Sequence, residues 1–106
     1  MSIDQLNRIL YDMYQMDVQP PPIIGTRDQA FRKASYTWWA VDEFRNYIQE
    51  SLAPRTSASI DEMARLALGF MMKMSRFSKK NPKAAPVFQT AYDVSLDILD
   101  LLRAMA

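Results

Sequence analysis

The sequence contains no cysteine and no histidine, and these two absences exclude several kinds of site. Without cysteine the chain has no disulfide framework, no zinc-thiolate site and no thiol nucleophile. Without histidine it lacks the commonest general base, the commonest metal ligand and every Ser-His or Cys-His catalytic pair. We therefore expect a protein that is not an enzyme and that uses no cofactor.

Glycine is also scarce. The chain has only two, Gly25 and Gly69, and they lie too far apart to form a loop that cradles phosphate. Glycine and β-branched residues are what turns and strands use, so their scarcity beside eight methionines favours helix.

No apolar run is long enough to cross a membrane, since a spanning helix needs ~20 such residues. The first residues, "MSIDQLNRIL", carry an early acid and lack the apolar centre of a signal peptide. The formal net charge of +1 gives no overall attraction to nucleic acid or to an anionic membrane. The sequence thus predicts a cytoplasmic protein with no membrane partner.

Length and composition predict one all-α domain over residues 1–106. Hydrophobic residues make up 49% and charged residues 24%, which is typical of a chain with a packed core. Apolar residues recur at helical spacing in four segments, which predicts a four-helix bundle or an irregular helical array. The predicted helices cover residues 2–16, 27–52, 60–79 and 86–105.

The boundaries of these helices have recognisable signals. Three starts carry a capping-box pattern, in which a serine or threonine precedes a glutamine or glutamate by three positions. Pro20–Pro22 lie in a predicted proline-rich connector at 19–25, because proline lacks an amide donor and favours extended backbone. Pro86 suits the first turn of the fourth helix. The capping pairs are Ser2 with Gln5, Thr26 with Gln29, and Ser59 with Glu62.

Apolar stripes identify the predicted core. The third helix has the most regular one, with Ile60, Met63, Ala67, Phe70, Met74 and Phe77 at spacings of three and four. On the fourth helix the predicted core residues are Phe88, Ala91, Val94 or Ser95, Ile98, Leu101 and Met105.

Charge is segregated in the second half of the chain. No aspartate or glutamate occurs between Met63 and Tyr92, whereas six cations do. Helical spacing places Lys73 and Lys80 opposite the apolar stripe, beside Gly69, where a missing side chain would let a phosphate or a backbone approach. We call these six cations the basic strip: Arg65, Lys73, Arg76, Lys79, Lys80 and Lys83.

Two interpretations of the basic strip stay open. It could neutralise the phosphates of a nucleic acid or bind another anionic partner. It could equally be an ordinary solvated helix face, whose last-turn cations also complement the negative end of the helix dipole.

Asp93, Asp97 and Asp100 share one face of the fourth helix. Like charges at this spacing destabilise a helix by ~0.2–0.5 kcal/mol per pair, so we expect something to compensate them. One candidate is the basic strip packed alongside, and another is a divalent cation such as Mg²⁺. Ordinary surface carboxylates are the simpler interpretation.

Acidic residues on two segments, "VDEFRNYIQE" and "YDVSLDILD", superficially resemble those of all-α nucleoside triphosphate pyrophosphohydrolases of the MazG type. That resemblance implies Mg²⁺ bound between two helices, here by Asp42, Glu43 and Glu50 on one helix and the three aspartates on the other. The Glu-x-x-Glu pair of that family is absent, because residue 46 is asparagine, and we do not assign the chain to the family.

The second helix concentrates aromatic residues in "YTWWAVDEFRNY". Trp38 and Phe44 fit its core stripe, whereas Tyr36, Trp39 and Tyr47 lie away from it. Aromatic side chains are enriched where proteins meet, so these last three are candidate partner-binding residues. The alternative is that this helix is central and buried on two sides.

Three functional hypotheses follow, in order of preference. The first is a small helical interaction protein, such as an adaptor, inhibitor or assembly subunit, that binds a protein partner and self-associates through the aromatic second helix. The second is a nucleic-acid-binding or nucleoprotein-complex subunit that uses the basic strip. The third is a Mg²⁺-dependent all-α nucleotide pyrophosphohydrolase.

Overall fold

The computed structural model describes residues 1–15 and 29–106, and the side chains of this part except those of residues 29–34. The described residues form no strand, and the predicted all-α bundle or array is confirmed, with helix ends within two residues of those predicted. The connector at 19–25 and the Thr26 cap lie outside the described residues. The elements are α1 (Ile3–Tyr14), α2 (Gln29–Leu52), α3 (Ile60–Lys80), a 3-10 turn (Pro82–Ala84) and α4 (Ala85–Met105).

No described helix combines the length and the hydropathy that crossing a bilayer requires. This agrees with the sequence-based expectation for these segments.

Two helix starts are capped by serine. At α1 the capping box is complete, because Ser2 Oγ accepts from the Gln5 amide at 3.0 Å and Gln5 Oε1 accepts from the Ser2 amide at 2.8 Å. At α3 the Ser59 hydroxyl accepts from the Glu62 amide at 3.1 Å, but the Glu62 carboxylate bonds Arg55 at 2.7 Å. A competing cation in the preceding loop therefore takes the side chain that the pattern assigned to the cap.

The beginning of the chain pairs with the loop between α2 and α3. The Met1 nitrogen donates to the Ala58 carbonyl at 2.8 Å, and the Ala58 amide donates to the Met1 carbonyl at 2.9 Å. The Ile3 amide donates to the Thr56 carbonyl at 2.8 Å. These bonds satisfy amides at the start of α1 and fix it beside the start of α3.

The helices surround one hydrophobic core. α3 and α4 run antiparallel across the 3-10 turn and form the most extensive helix pair. Among the described helices, α2 alone contacts all three others, and α1 packs on α2. The interpretation of α2 as a central helix is consistent with this packing, and it explains why α2 carries so many large side chains.

The predicted stripe of α3 is largely confirmed, since Met63, Ala67, Phe70 and Met74 are buried and its two end members lie at the edge of the core. The prediction for the end of α4 was wrong. Leu99 and Leu102 are buried there, whereas Leu101 is half-buried and Met105 is 41% exposed. α4 packs against both α2 and α3, so its buried arc is wider than one stripe and is centred further round the helix.

Candidate partner-binding groove

A groove of about 300 Å³ lies between α2 and α3 and is bounded at one end by the first turns of α4. We call it the aromatic groove. Its α2 wall consists of Trp39, Glu43, Asn46, Tyr47 and Glu50, its α3 wall of Phe70, Lys73, Met74 and Phe77, and α4 contributes Phe88.

Ring contacts hold the walls of the groove together. Trp39 meets Phe88 edge to face with ring centres 6.0 Å apart, and Phe88 meets Phe77 at 5.5 Å. Tyr47 packs on Phe70 at 5.4 Å. Offset and edge-on pairs of this kind contribute ~0.5–1.5 kcal/mol beyond area burial, so the groove is lined by side chains with fixed positions.

Lys73 lies in the groove and not on the outer surface of α3. Its ammonium is 5.6 Å from the centre of the Tyr47 ring and 5.8 Å from that of Phe77, a cation-π arrangement. Sequence reasoning grouped Lys73 with the exposed cations, because a helical projection cannot tell which flank of a helix a neighbour covers.

Glu43 and Glu50 stand on the α2 wall, half-buried and exposed respectively. None of the ion pairs recorded among the described residues involves either carboxylate. With two carboxylates and one ammonium, the mouth of the groove carries a net negative charge at neutral pH.

The structure brings together two of the three predicted partner-binding residues. Trp39 and Tyr47 both line the aromatic groove, whereas Tyr36 is half-buried on α2 and does not line it. The sequence did not identify Phe77 and Phe88 as site residues, since it placed both in core stripes. Their half-buried state is the result of a third helix meeting the first two.

Gly69 does not leave space for a ligand, contrary to the expectation from its place on the helix. A Cβ atom there would lie 2.9 Å from the Tyr47 hydroxyl oxygen and 3.9 Å from the ring carbon that bears it. The missing side chain thus admits the tyrosine of α2, and it allows α2 and α3 to form the groove.

We expect Gly69→Ala to be more stabilising in a Tyr47→Phe background than in the native sequence. Alanine gains ~1 kcal/mol of helix propensity over glycine in both cases. Only the native background opposes that gain, because there the new methyl group must displace the Tyr47 hydroxyl. Urea unfolding of the four proteins measures the difference. A Tyr36→Phe background is the matched control, and equal effects in all three backgrounds would contradict the packing of Tyr47 against Gly69.

The other members of the basic strip are exposed. Arg76, Lys79, Lys80 and Lys83 all face water, and Arg65 pairs within its own helix with Asp61 at 3.3 Å. The ion pairs recorded among the described residues do not join α3 to α4. The suggestion that the basic strip compensates the α4 aspartates inside one molecule is therefore not supported in the described part of the chain.

Asp93, Asp97 and Asp100 are exposed on α4. Asp93 accepts a bond from the Gln89 side-chain amide at 3.2 Å. In residues 1–15 and 29–106, no three acidic side chains come close enough together to hold a metal ion. The Mg²⁺ candidates are thus not brought into a cluster by the part of the fold that is described.

Tyr14 at the end of α1 is the group that senses Asp97. Burial, and secondarily the Asp97 carboxylate, raise the pKa of Tyr14 from 10.0 to about 12. Its hydroxyl is buried and has no hydrogen-bond partner among the described residues. The neutral phenol is therefore the form that the fold favours.

Because the folded pKa is the higher one, the stability contributed by neutral Tyr14 is complete below pH 10 and is lost as the pH rises through about 12. We expect ultraviolet absorbance titration to show one of the five tyrosines ionising well after an unperturbed one. Asp97→Asn should lower the pKa of Tyr14 by less than half of the total shift, since burial is the larger cause. Asp93→Asn is the control and should leave it unchanged.

A scan against protein-family models finds no match to this chain, and searches of curated proteins and of solved structures find none either. The geometry of the aromatic groove and of the exposed charges is thus the basis for assigning a function.

Proposed function

We propose that this protein is a non-enzymatic helical module that binds a protein partner by taking one large apolar side chain of that partner into the aromatic groove. The observation that carries the proposal is the convergence of Trp39, Tyr47, Phe77 and Phe88, from three helices, on one open groove of about 300 Å³. This volume is at the lower end of the ~300–1,000 Å³ of small-molecule pockets, and it suits a single anchoring side chain.

Aromatic residues at such a place favour recognition over simple core filling. Anchor residues at protein interfaces bind in preformed pockets lined by aromatic side chains, and they supply most of the binding energy. Here the ring contacts between Trp39, Phe88 and Phe77 hold the groove open before a partner arrives. Binding would therefore cost little ordering of the side chains that line the groove.

Charge at the mouth indicates the partner's chemistry. Glu43 and Glu50 have no recorded ion pair with described residues, whereas the Lys73 ammonium is already held over two rings. A partner segment with arginine or lysine beside its apolar anchor complements these carboxylates. The proposal is accordingly a basic segment with an apolar anchor.

Two short synthetic peptides with a central tryptophan test this, one flanked by arginines and one by glutamates. We expect the arginine peptide to bind at least ~tenfold more tightly, a difference of ~1.4 kcal/mol. Nuclear magnetic resonance of the labelled protein should show the Trp39 indole N–H resonance moving on titration. The Trp38 indole N–H is buried and lines no part of the groove, so it is an internal control.

Charge reversal of the α2 wall provides the matched variant. Glu43→Lys with Glu50→Lys should invert the preference between the two peptides, whereas Asp4→Lys with Asp12→Lys on α1 makes the same charge change away from the groove and should preserve it. Equal binding of both peptides, or no movement of the Trp39 resonance at millimolar peptide, would overturn the proposal.

A second candidate function is nucleic-acid binding, favoured by the exposure of Arg76, Lys79, Lys80 and Lys83 at the end of α3 and in the turn after it. Fluorescence anisotropy with labelled single-stranded RNA and duplex DNA tests it. Changing the three lysines to alanine should weaken binding to both and reduce the dependence on salt by about one counterion per lost phosphate contact. No binding to either probe at low salt would dispose of this candidate.

A further inference from the structure

The surface of the α3–α4 pair that faces away from α2 carries an exposed apolar centre. Leu68 and Met72 on α3 are 37% and 53% exposed, and Leu96 on α4 is 39% exposed. None of the three lines the aromatic groove. We call these residues the apolar seam.

Opposite charges flank the apolar seam on its two sides. Residues advance by about 100° around a helix, so Arg65 and Arg76 lie on the Gly69 side of α3, whereas Leu68 lies on the side toward α4. Gly69 itself faces Tyr47 of α2, which fixes this direction. The basic flank, Arg65 and Arg76, is therefore on the edge of the surface that is remote from α4.

The acidic flank is on the opposite edge. Asp97 lies near Tyr14 of α1, whose pKa it affects, and Asp93 and Asp100 lie between Asp97 and Leu96 around the circumference of α4. We define the acidic flank as Asp93 and Asp100. Across the surface the order is thus basic flank, apolar seam and acidic flank.

The two flanks are also matched along the helices. Phe77 of α3 contacts Phe88 of α4, and Arg65 and Asp100 lie equally far from that contact along their antiparallel helices. A twofold axis along the apolar seam would keep these levels and exchange the two sides. It would bring the basic flank of one copy over the acidic flank of the other, twice.

We propose that this surface is a self-association interface, and that its occupant is a second copy of this chain. Charge complementarity carries the inference, because the face is complementary to itself under a twofold rotation. A second copy supplies the cations that compensate the α4 aspartates, which the ion pairs recorded within one molecule do not. Since only three large apolar side chains are exposed, the dimer is weak and reversible, and its population falls as salt screens the flanks.

Two variants with opposite changes test the arrangement. Variant one, Arg65→Glu with Arg76→Glu, has two acidic flanks, and variant two, Asp93→Lys with Asp100→Lys, has two basic flanks. In sedimentation velocity at low salt we expect the native protein to sediment faster as its concentration rises. Each variant alone should dissociate at least ~tenfold more readily, because repulsion replaces attraction in both halves of the interface.

The mixture of the two variants is the decisive measurement. Its acidic flanks meet basic flanks in both halves of the interface, so the mixture should form a heterodimer although neither variant associates alone. Lys80→Glu with Lys83→Glu is the control for variant one, and Asp4→Lys with Asp12→Lys for variant two. Both controls should dimerise like the native protein.

Three results would overturn the proposal: a native protein that stays monomeric at all concentrations, variants that associate like the native protein, or a mixture that stays monomeric. Circular dichroism confirms that each variant is folded, and all substituted positions are exposed. The groove residues are unchanged in these variants, so peptide binding in the aromatic groove is measured independently.

Discussion

Phe70→Ala is expected to cost ~3–5 kcal/mol of the free energy of unfolding. The Phe70 side chain is 2% exposed and packs edge to face on Phe44, with ring centres 5.5 Å apart. Its other face supports Tyr47. Truncation therefore removes apolar burial and two ring contacts, and it leaves a cavity where α2 and α3 meet. A domain of this size has a total stability of ~5–15 kcal/mol, so a large share of it is lost.

Urea unfolding measures this cost as a lower transition midpoint with an unchanged slope. Phe88→Ala is the matched control, because Phe88 is half-buried at the end of the groove and its truncation should cost clearly less. A cost for Phe70→Ala below ~1 kcal/mol would mean that the cluster of Phe44, Phe70 and Tyr47 does not pack as described.

The contrast between α3 and α4 shows how far a sequence specifies a helix face. α3 carries one narrow stripe, and the spacing of Met63, Ala67, Phe70 and Met74 was enough to identify its buried side. α4 is covered by two helices, so adjacent pairs such as Ile98 and Leu99 are both buried. Periodicity gives the centre of one contact, and it does not reveal a second contact that widens the arc.

The candidate groove was predictable in part. The excess of aromatic residues on α2 indicated a site, because Trp39 and Tyr47 did not fit the core stripe. Which α3 residues face them depends on the rotation of one helix against another, a long-range property that spacing within one helix does not contain. Lys73 and Gly69 illustrate this, since both were assigned to an open surface and both face α2.

The two proposed interfaces occupy different surfaces of the helices. Lys73 and Phe77 of α3 face the aromatic groove, whereas Leu68 and Met72 face the opposite flank. A dimer formed through the apolar seam would therefore leave both grooves open. Two grooves held in one dimer would increase the effective concentration for a partner that carries two anchor segments.

The α3–α4 contact pairs small side chains with large ones, and exchanging their sizes should exchange their roles. Met74 and Ala91 lie equally far from the Phe77–Phe88 contact on antiparallel helices, and both are buried. Met74→Ala alone should cost ~2–5 kcal/mol through the cavity it leaves. Ala91→Leu alone should cost ~1–3 kcal/mol through overpacking.

Combined, Met74→Ala and Ala91→Leu should cost less than the sum of the single changes by ~0.5–3 kcal/mol, because the new leucine occupies the volume that methionine vacates. Urea unfolding of the four proteins gives this coupling. Ala104→Leu, at an exposed position of α4, replaces Ala91→Leu in the control cycle and should be additive with Met74→Ala. Additivity in both cycles would mean that Met74 and Ala91 do not share a site, and that the register of α3 against α4 differs from the one inferred from the two phenylalanines.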